Sequence, residues 1–138
     1  MAGNLFELDI EAFRKALSSL KKAYDVYCSG SDEPDMCDIY ADSCVKRFEY
    51  TFETAWKIMK KYFKLQYGKT EEELTMNNIF RYMEGYGFTD SWLKWKEYYA
   101  KRNSTAHEYN IEKSRKLLNI IPDFINDADF MLTKWDSL

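Results

Sequence analysis

The sequence predicts an all-α protein, an antiparallel up-and-down four-helix bundle with a short extra helix. Apolar side chains recur at steps of three and four residues in several long segments, which is the spacing of one helical face. The 138 residues include only 5 Gly and 2 Pro, and no useful length of chain alternates between apolar and polar residues. Such helices bury their apolar faces against one another, so we expect a single helical domain over residues 1–138.

The first two helices are the longest regular segments. Apolar periodicity predicts a helix over residues 10–28, with Asp9 as its N-cap. Residues 29–34 form a turn, because they are rich in Ser, Gly, Asp and Pro. A second helix is expected from about 35 to 67, and Gly68 stands where a glycine commonly ends a helix.

A short helix follows a polar connection over residues 69–74. Thr75 is a suitable N-cap for this helix, because its hydroxyl can accept a hydrogen bond from a free amide of the first turn. The helix is expected to run through Met83. Gly85 and Gly87 then end it.

The last two helices contain the remaining apolar periodicity. One is expected to open at Thr89 or Asp90 and to end near Arg102, and the other runs to about Trp135. Pro122 lies inside the last helix. We expect it to kink or break that helix, because proline removes one backbone hydrogen bond and clashes with the preceding turn.

Composition excludes several classes of function. The net charge of −3 argues against a general nucleic-acid coat, so any polyanion must bind locally. No segment is apolar enough to span a membrane and residues 1–9 lack a secretory signal, so we expect a cytoplasmic protein.

Cys28, Cys37 and Cys44 have no metal-site spacing and are expected to be reduced thiols. A single histidine excludes HExxH zinc chemistry, and no metal or cofactor is expected.

The tryptophans suggest self-association. Trp56, Trp92, Trp95 and Trp135 add more aromatic surface than a small monomer readily buries, so we expect a homodimer.

The one histidine, His107, lies between two patterned helices in a segment without apolar periodicity of its own. On a continuous helix Arg102 and His107 would point about 140° apart, so they can share a site only if the helix breaks. Thr105 and Glu108 fit the capping box S/T-x-x-E. This pattern predicts that the last helix begins near Ala106.

Such a break would assemble groups suited to phosphodiester chemistry. The positive end of the helix dipole would favour a neutral His107, able to accept a proton, and would also attract a phosphate. Arg102 could bind that phosphate, with Asn103 and the hydroxyl of Tyr109 beside it. These groups indicate cleavage of RNA without a metal, with a second protomer supplying the general acid. In the alternative interpretation Arg102 only ends a helix, His107 is a partly buried polar residue and Tyr109 belongs to the core.

The second helix has two charged patterns. Glu49 and Glu53 share one face, but no Glu-x-x-His partner exists for a di-iron site. Lys57, Lys61 and Lys64 form a basic stripe. The stripe is either a solvated face in which Glu53 pairs with Lys57, or a docking strip for RNA or an acidic partner.

Two segments together resemble the nucleotidyltransferase substrate-binding protein family, a branch of the HEPN superfamily. One is the run Arg102-Asn103-x-x-x-His107-x-Tyr109, and the other is RFEYTFETAWK at 47–57. The resemblance spans roughly residues 8–135. It implies a dimeric four-helix bundle that works with a minimal nucleotidyltransferase encoded nearby.

The resemblance also implies roles for the matched residues. In related HEPN/MNT toxin–antitoxin pairs the bundle is a metal-independent ribonuclease, whose catalytic residues match Arg102 and His107. The tyrosine matching Tyr109 receives AMP from the partner transferase. Asn103 matches the polar residue after the arginine. Three hypotheses stay open: a partner subunit modified at Tyr109, an active ribonuclease, and a purely structural adapter that needs none of these residues.

Overall fold

A computed structural model describes residues 2–106 and 111–138, and within those residues the chain forms five α-helices and no strand. The helices are α1 (Ala2–Ser29), α2 (Pro34–Tyr67), α3 (Met76–Gly85), α4 (Trp92–Ala106) and α5 (Ile111–Asp136). Helices α1 and α4 each pack against both α2 and α5, and α3 packs against α2 and α4. The fold is therefore the predicted antiparallel four-helix bundle with α3 as its short extra helix.

The boundaries of α2 are those that local chemistry predicts. Pro34 occupies the start of the helix, where its missing N–H costs nothing. Gly68 ends the helix with φ 63°, a left-handed conformation, and donates its N–H to the Phe63 carbonyl. Thr75 caps α3 as expected, accepting a hydrogen bond from the Asn78 amide at 3.3 Å.

The predicted start of the first helix is wrong. Helix α1 begins at Ala2, so Asp9 lies inside the helix and does not cap it. The extension follows from packing, because the Phe6 ring contacts Tyr62 at 5.4 Å and Trp135 at 5.6 Å between centroids. Asp9 instead pairs with Lys61 on α2 at 2.5 Å.

The predicted end of the fourth helix is also wrong. Helix α4 continues past Arg102 to Ala106, so Thr105 is helical and is not the N-cap of a helix starting near Ala106. Asn, Ser and Thr cost only about 0.5 kcal/mol each inside a helix, which packing readily offsets. Pro122 does not break α5, because Ile121 and Phe124 on either side are fully buried and hold both halves in the core.

The core sits at the centre of the bundle and is rich in aromatic side chains. Trp95 and Trp135 are buried, and Trp56 and Trp92 pack half-buried against the core. The bundle thus buries two of the four tryptophans and leaves two partly exposed, and the homodimer stays a prediction. Over the described ranges, no helix combines the length and apolarity needed to cross a bilayer.

Candidate functional site

The candidate site lies where α4 crosses α2. Arg102, near the end of α4, donates from Nη2 to Oε1 of Glu53 on α2 at 3.1 Å. The Arg102 side chain is 28% exposed and that of Glu53 is 49% exposed, so the pair sits at the rim of the bundle. The guanidinium is therefore fixed between two helices while part of it still meets solvent.

An aromatic cluster beneath this pair sets the register of the two helices. Phe52, which precedes Glu53, lies 6.3 Å from Trp95 and 6.1 Å from Tyr99 between ring centroids. Phe52 and Trp95 are buried, and Tyr99 lies three residues before Arg102. Because buried rings tolerate little sliding, the cluster places Glu53 opposite Arg102.

Asn103 lies beside Arg102 on α4. Its Oδ1 accepts a hydrogen bond from Arg102 Nη1 at 3.4 Å, and the Asn103 side chain is half-buried. The next residue, Ser104, donates its hydroxyl to the Lys101 carbonyl at 2.8 Å, a bond made within the helix. Arg102 and Asn103 are thus brought together on one continuous helical turn.

His107 and Tyr109, the other two predicted site residues, lie outside the described residues, as does Glu108 of the predicted capping box. Of the four predicted site residues, the structure therefore describes only Arg102 and Asn103, and the site stays a prediction.

Glu53 forms an ion pair with Arg102. The interpretation in which Glu53 pairs with Lys57, four residues later, is therefore wrong. Sequence reasoning placed Glu53 on a solvated face and missed this link. The two residues are 49 positions apart and occupy different helices. Only the conspicuous spacing of Glu49 and Glu53 on one face of α2 could have drawn attention to the carboxylate.

The lysine stripe on α2 is mostly engaged in ion pairs. Lys61 pairs with Asp9 at 2.5 Å, and Lys64 pairs with Glu71 at 3.2 Å. Lys60 contacts the same Glu71 at 2.9 Å. The hydrogen bond from Lys60, and to a smaller extent that from Lys64, lowers the pKa of Glu71 below its ordinary value. Among the described residues, Lys57 is therefore the one lysine of the stripe that forms no ion pair, which argues against a strip of lysines open to RNA.

A second polar pair joins α4 to α5. The Tyr98 hydroxyl donates to the carboxylate of Asp127. Tyr98 is buried, and Asp127 is partly buried. Burial raises the pKa of Asp127 above its ordinary value, although the bond from Tyr98 acts in the opposite direction. Burial, with the hydrogen bond to Asp127, also raises the pKa of Tyr98. The pair lies on the face of α4 toward α5 and carries no sequence signal.

Within residues 2–106 and 111–138, no cluster of three His, Cys, Asp or Glu side chains is arranged to hold a metal ion. The chemistry available at the α2–α4 contact is that of a positioned guanidinium with a carboxylate and an amide. Such a guanidinium can bind a phosphate or another oxyanion through two parallel hydrogen bonds.

A family model and a relative of known name both match this chain. The family model described as "nucleotidyltransferase substrate binding protein like" matches residues 8–137. The chain is 27% identical over 97 residues to a Haemophilus influenzae protein named probable ribonuclease HepT. That match covers 69% of this chain and 66% of the relative, just under two thirds of its length.

Two solved structures share the fold. A crystal structure of a Thermus thermophilus protein matches with a TM-score of 0.72 at 23% identity, over 88% of this chain and 97% of that one. A Haemophilus influenzae structure matches with a TM-score of 0.69 at 21% identity, over 95% and 96%. The second is described as revealing the fold of a substrate-binding domain of a nucleotidyltransferase.

Proposed function

Because the chain belongs to the nucleotidyltransferase substrate-binding protein family, we propose that it is the partner subunit of a minimal nucleotidyltransferase encoded nearby. In this proposal it is the toxin-like half of a two-component toxin–antitoxin system, a single cytoplasmic domain that forms homodimers. The observation that carries the proposal is the family match over residues 8–137. The structural likeness to a described substrate-binding domain supports the same fold.

Tyr109 is the proposed site of modification. The transferase would join the phenolic oxygen of Tyr109 to the α-phosphorus of ATP, releasing pyrophosphate and the phenolic proton. In this proposal the AMP on Tyr109, seven residues after Arg102 in the sequence, brings its negative charge to the guanidinium. Such a charge would compete with any phosphate that Arg102 binds.

The test is co-expression with the neighbouring transferase, followed by size-exclusion chromatography and incubation with ATP. We expect a stable complex and a mass increment of one AMP that tandem mass spectrometry assigns to Tyr109. Tyr109→Phe should bind the transferase and gain no mass, whereas Tyr86→Phe, an exposed tyrosine just after α3, should be modified like the parent. Absence of both the complex and the increment would overturn the proposal.

A second candidate function is RNA cleavage. It is favoured by the position of Arg102, which is held at the rim and partly exposed, and by similarity to a protein named probable ribonuclease. Because α4 is continuous from Arg102 to Ala106, catalysis requires the helical path to end at His107, so that its imidazole approaches Arg102.

The proposed cleavage needs only groups of this chain. His107 accepts the proton of the ribose 2′-hydroxyl, whose oxygen then attacks the neighbouring phosphorus. Arg102 stabilises the charge on the phosphoryl oxygens, with Asn103 beside it. The 5′-oxygen leaves with a proton donated by a second protomer, and a 2′,3′-cyclic phosphate remains. Each step transfers a proton or an electron pair without a metal.

The test is cleavage of a labelled RNA in the presence of EDTA. We expect activity in the parent chain and its loss in Arg102→Ala and His107→Ala, while Arg115→Ala, an exposed arginine on α5, should remain active. Full activity in the first two variants would exclude this mechanism. If the parent neither cleaves RNA nor binds the transferase, a structural adapter becomes the better description.

A further inference from the structure

A groove runs along the outer side of the pair formed by α1 and α2. It shares only α2 with the candidate site. Three adjoining cavities form it, with volumes of about 420, 330 and 260 Å³. Neighbouring cavities share lining residues: Ser19 and Arg47 join the first to the second, and Ala12 and Tyr50 join the second to the third. From Asp9 to Val26 the groove follows α1 for about 25 Å, at 1.5 Å per residue.

The groove offers apolar surface that the fold leaves uncovered. Ile39 is 56% exposed and Tyr50 is 60% exposed, and Val26 is nearly half exposed. All three line the groove, and small side chains such as Ala12 and Ala23 lie between them. The wall of the largest cavity is mainly apolar. A partner helix could approach closely along such a surface.

The charge of the groove is opposite to that of the whole chain. Five cations line it, namely Lys15, Lys22, Arg47, Lys57 and Lys61, against one anion, Asp9, which Lys61 already pairs with. In the described part of the chain, the other four cations form no ion pair. The chain as a whole carries −3. Positive charge is thus concentrated along this groove.

Arg47 at the middle of the groove is held in place by neutral groups. Its Nε donates to the Ser19 hydroxyl on α1 at 2.8 Å, and Nη1 donates to the Ser43 hydroxyl on α2. The guanidinium is oriented by these two bonds, and its charge has no counter-ion among the described residues. A fixed, uncompensated guanidinium is suited to a carboxylate brought by a partner.

We propose that this groove docks the nucleotidyltransferase subunit through an amphipathic α-helix with an apolar stripe flanked by Asp and Glu. The apolar stripe would cover Ile39, Tyr50 and Val26, and one carboxylate would pair with Arg47. This inference rests on the proposed function, because it names the surface through which that partner binds. The largely apolar wall favours a helix over RNA, whose backbone offers no comparable apolar face.

The experiment measures the affinity of the full chain for the purified transferase by isothermal titration calorimetry. Arg47→Glu should weaken binding by about tenfold or more, because it removes the carboxylate's partner and adds repulsion. Ile39→Ser should weaken binding independently. Matched controls are Lys46→Glu, an exposed neighbour on α2 that does not line the groove, and Leu93→Ser, an exposed leucine on α4. Both controls should bind like the parent.

The outcomes separate this inference from the proposed function. If the parent binds and Arg47→Glu and Ile39→Ser bind equally well, the groove is not the docking surface, although the proposed function stands. If the parent does not bind, the proposed function itself fails. Loss of RNA binding or of self-association, with transferase binding unchanged, would assign the groove to another occupant and overturn the inference. Circular dichroism of each variant checks that the bundle still folds.

Discussion

The link between Glu53 and Arg102 is expected to stabilise the bundle measurably. We propose a double-mutant cycle with Glu53→Gln, Arg102→Gln and the double variant, in which the free energy of unfolding is measured by urea denaturation. The cycle isolates this pair from the other contacts that each residue makes. Its outcome reports how firmly the guanidinium is held against α2.

The expected coupling energy follows from the geometry. At 3.1 Å, two unit charges in water attract by about 1.3 kcal/mol. Solvent screening and lost side-chain freedom reduce exposed pairs to about 0.2–1 kcal/mol. Because Arg102 is 28% exposed and bridges two helices, we expect a coupling of about 0.5–1 kcal/mol, near the upper end of that range.

The pair of Lys94 and Asp90 is a suitable control for this cycle. Their side chains are 47% and 67% exposed, and Asp90 precedes α4 while Lys94 lies in its first turn. Such an exposed pair is expected to couple toward the lower end of the range of about 0.2–1 kcal/mol that surface ion pairs show. If Glu53 and Arg102 behave additively to within about 0.3 kcal/mol, the guanidinium is not anchored by Glu53 and this account of the site is wrong.

Three further predictions concern the fold. Thr75→Ala should cost about 1 kcal/mol, because it removes the cap on the Asn78 amide; unchanged denaturation would contradict this. Phe124→Ala should cost about 3–5 kcal/mol, because the ring is fully buried and 4.9 Å from Phe48; a cost below about 1 kcal/mol would contradict that packing. Burial raises the pKa of Asp127 above its ordinary 3.8, so its contribution is favourable below pH 3.8 and is lost as pH rises through the raised value. Asp127→Asn should therefore gain stability relative to the parent as pH rises from 4 to 7, and a relative loss in urea denaturation would contradict the sign.

The parts of the fold set by local chemistry were predictable from the sequence. Pro34 begins α2, Gly68 ends it and Thr75 caps α3, because each acts on backbone groups within a few residues. The start of α1 was not, because distant packing decides it. Phe6 lengthens α1 by meeting Tyr62 and Trp135, contacts that no local pattern encodes.

The candidate site was predictable in the same limited sense. The polar run containing Arg102 and Asn103 stands out in the sequence because it interrupts apolar periodicity. Its partner Glu53 could not be identified, because the contact depends on the register of α2 against α4. That register is set by buried rings such as Phe52 and Trp95, and interhelical register is a property of the whole core.

The central claim is that Arg102 and His107 form one anion-binding site. His107 is the sole histidine of the chain, so its imidazole gives one Hε1 proton NMR signal, which needs no assignment among several histidines. We predict that inorganic phosphate, titrated at constant pH, shifts this signal in the parent and leaves it unchanged in Arg102→Gln. A chemical shift that does not change with phosphate in the parent, or that changes equally in Arg102→Gln, would contradict the account.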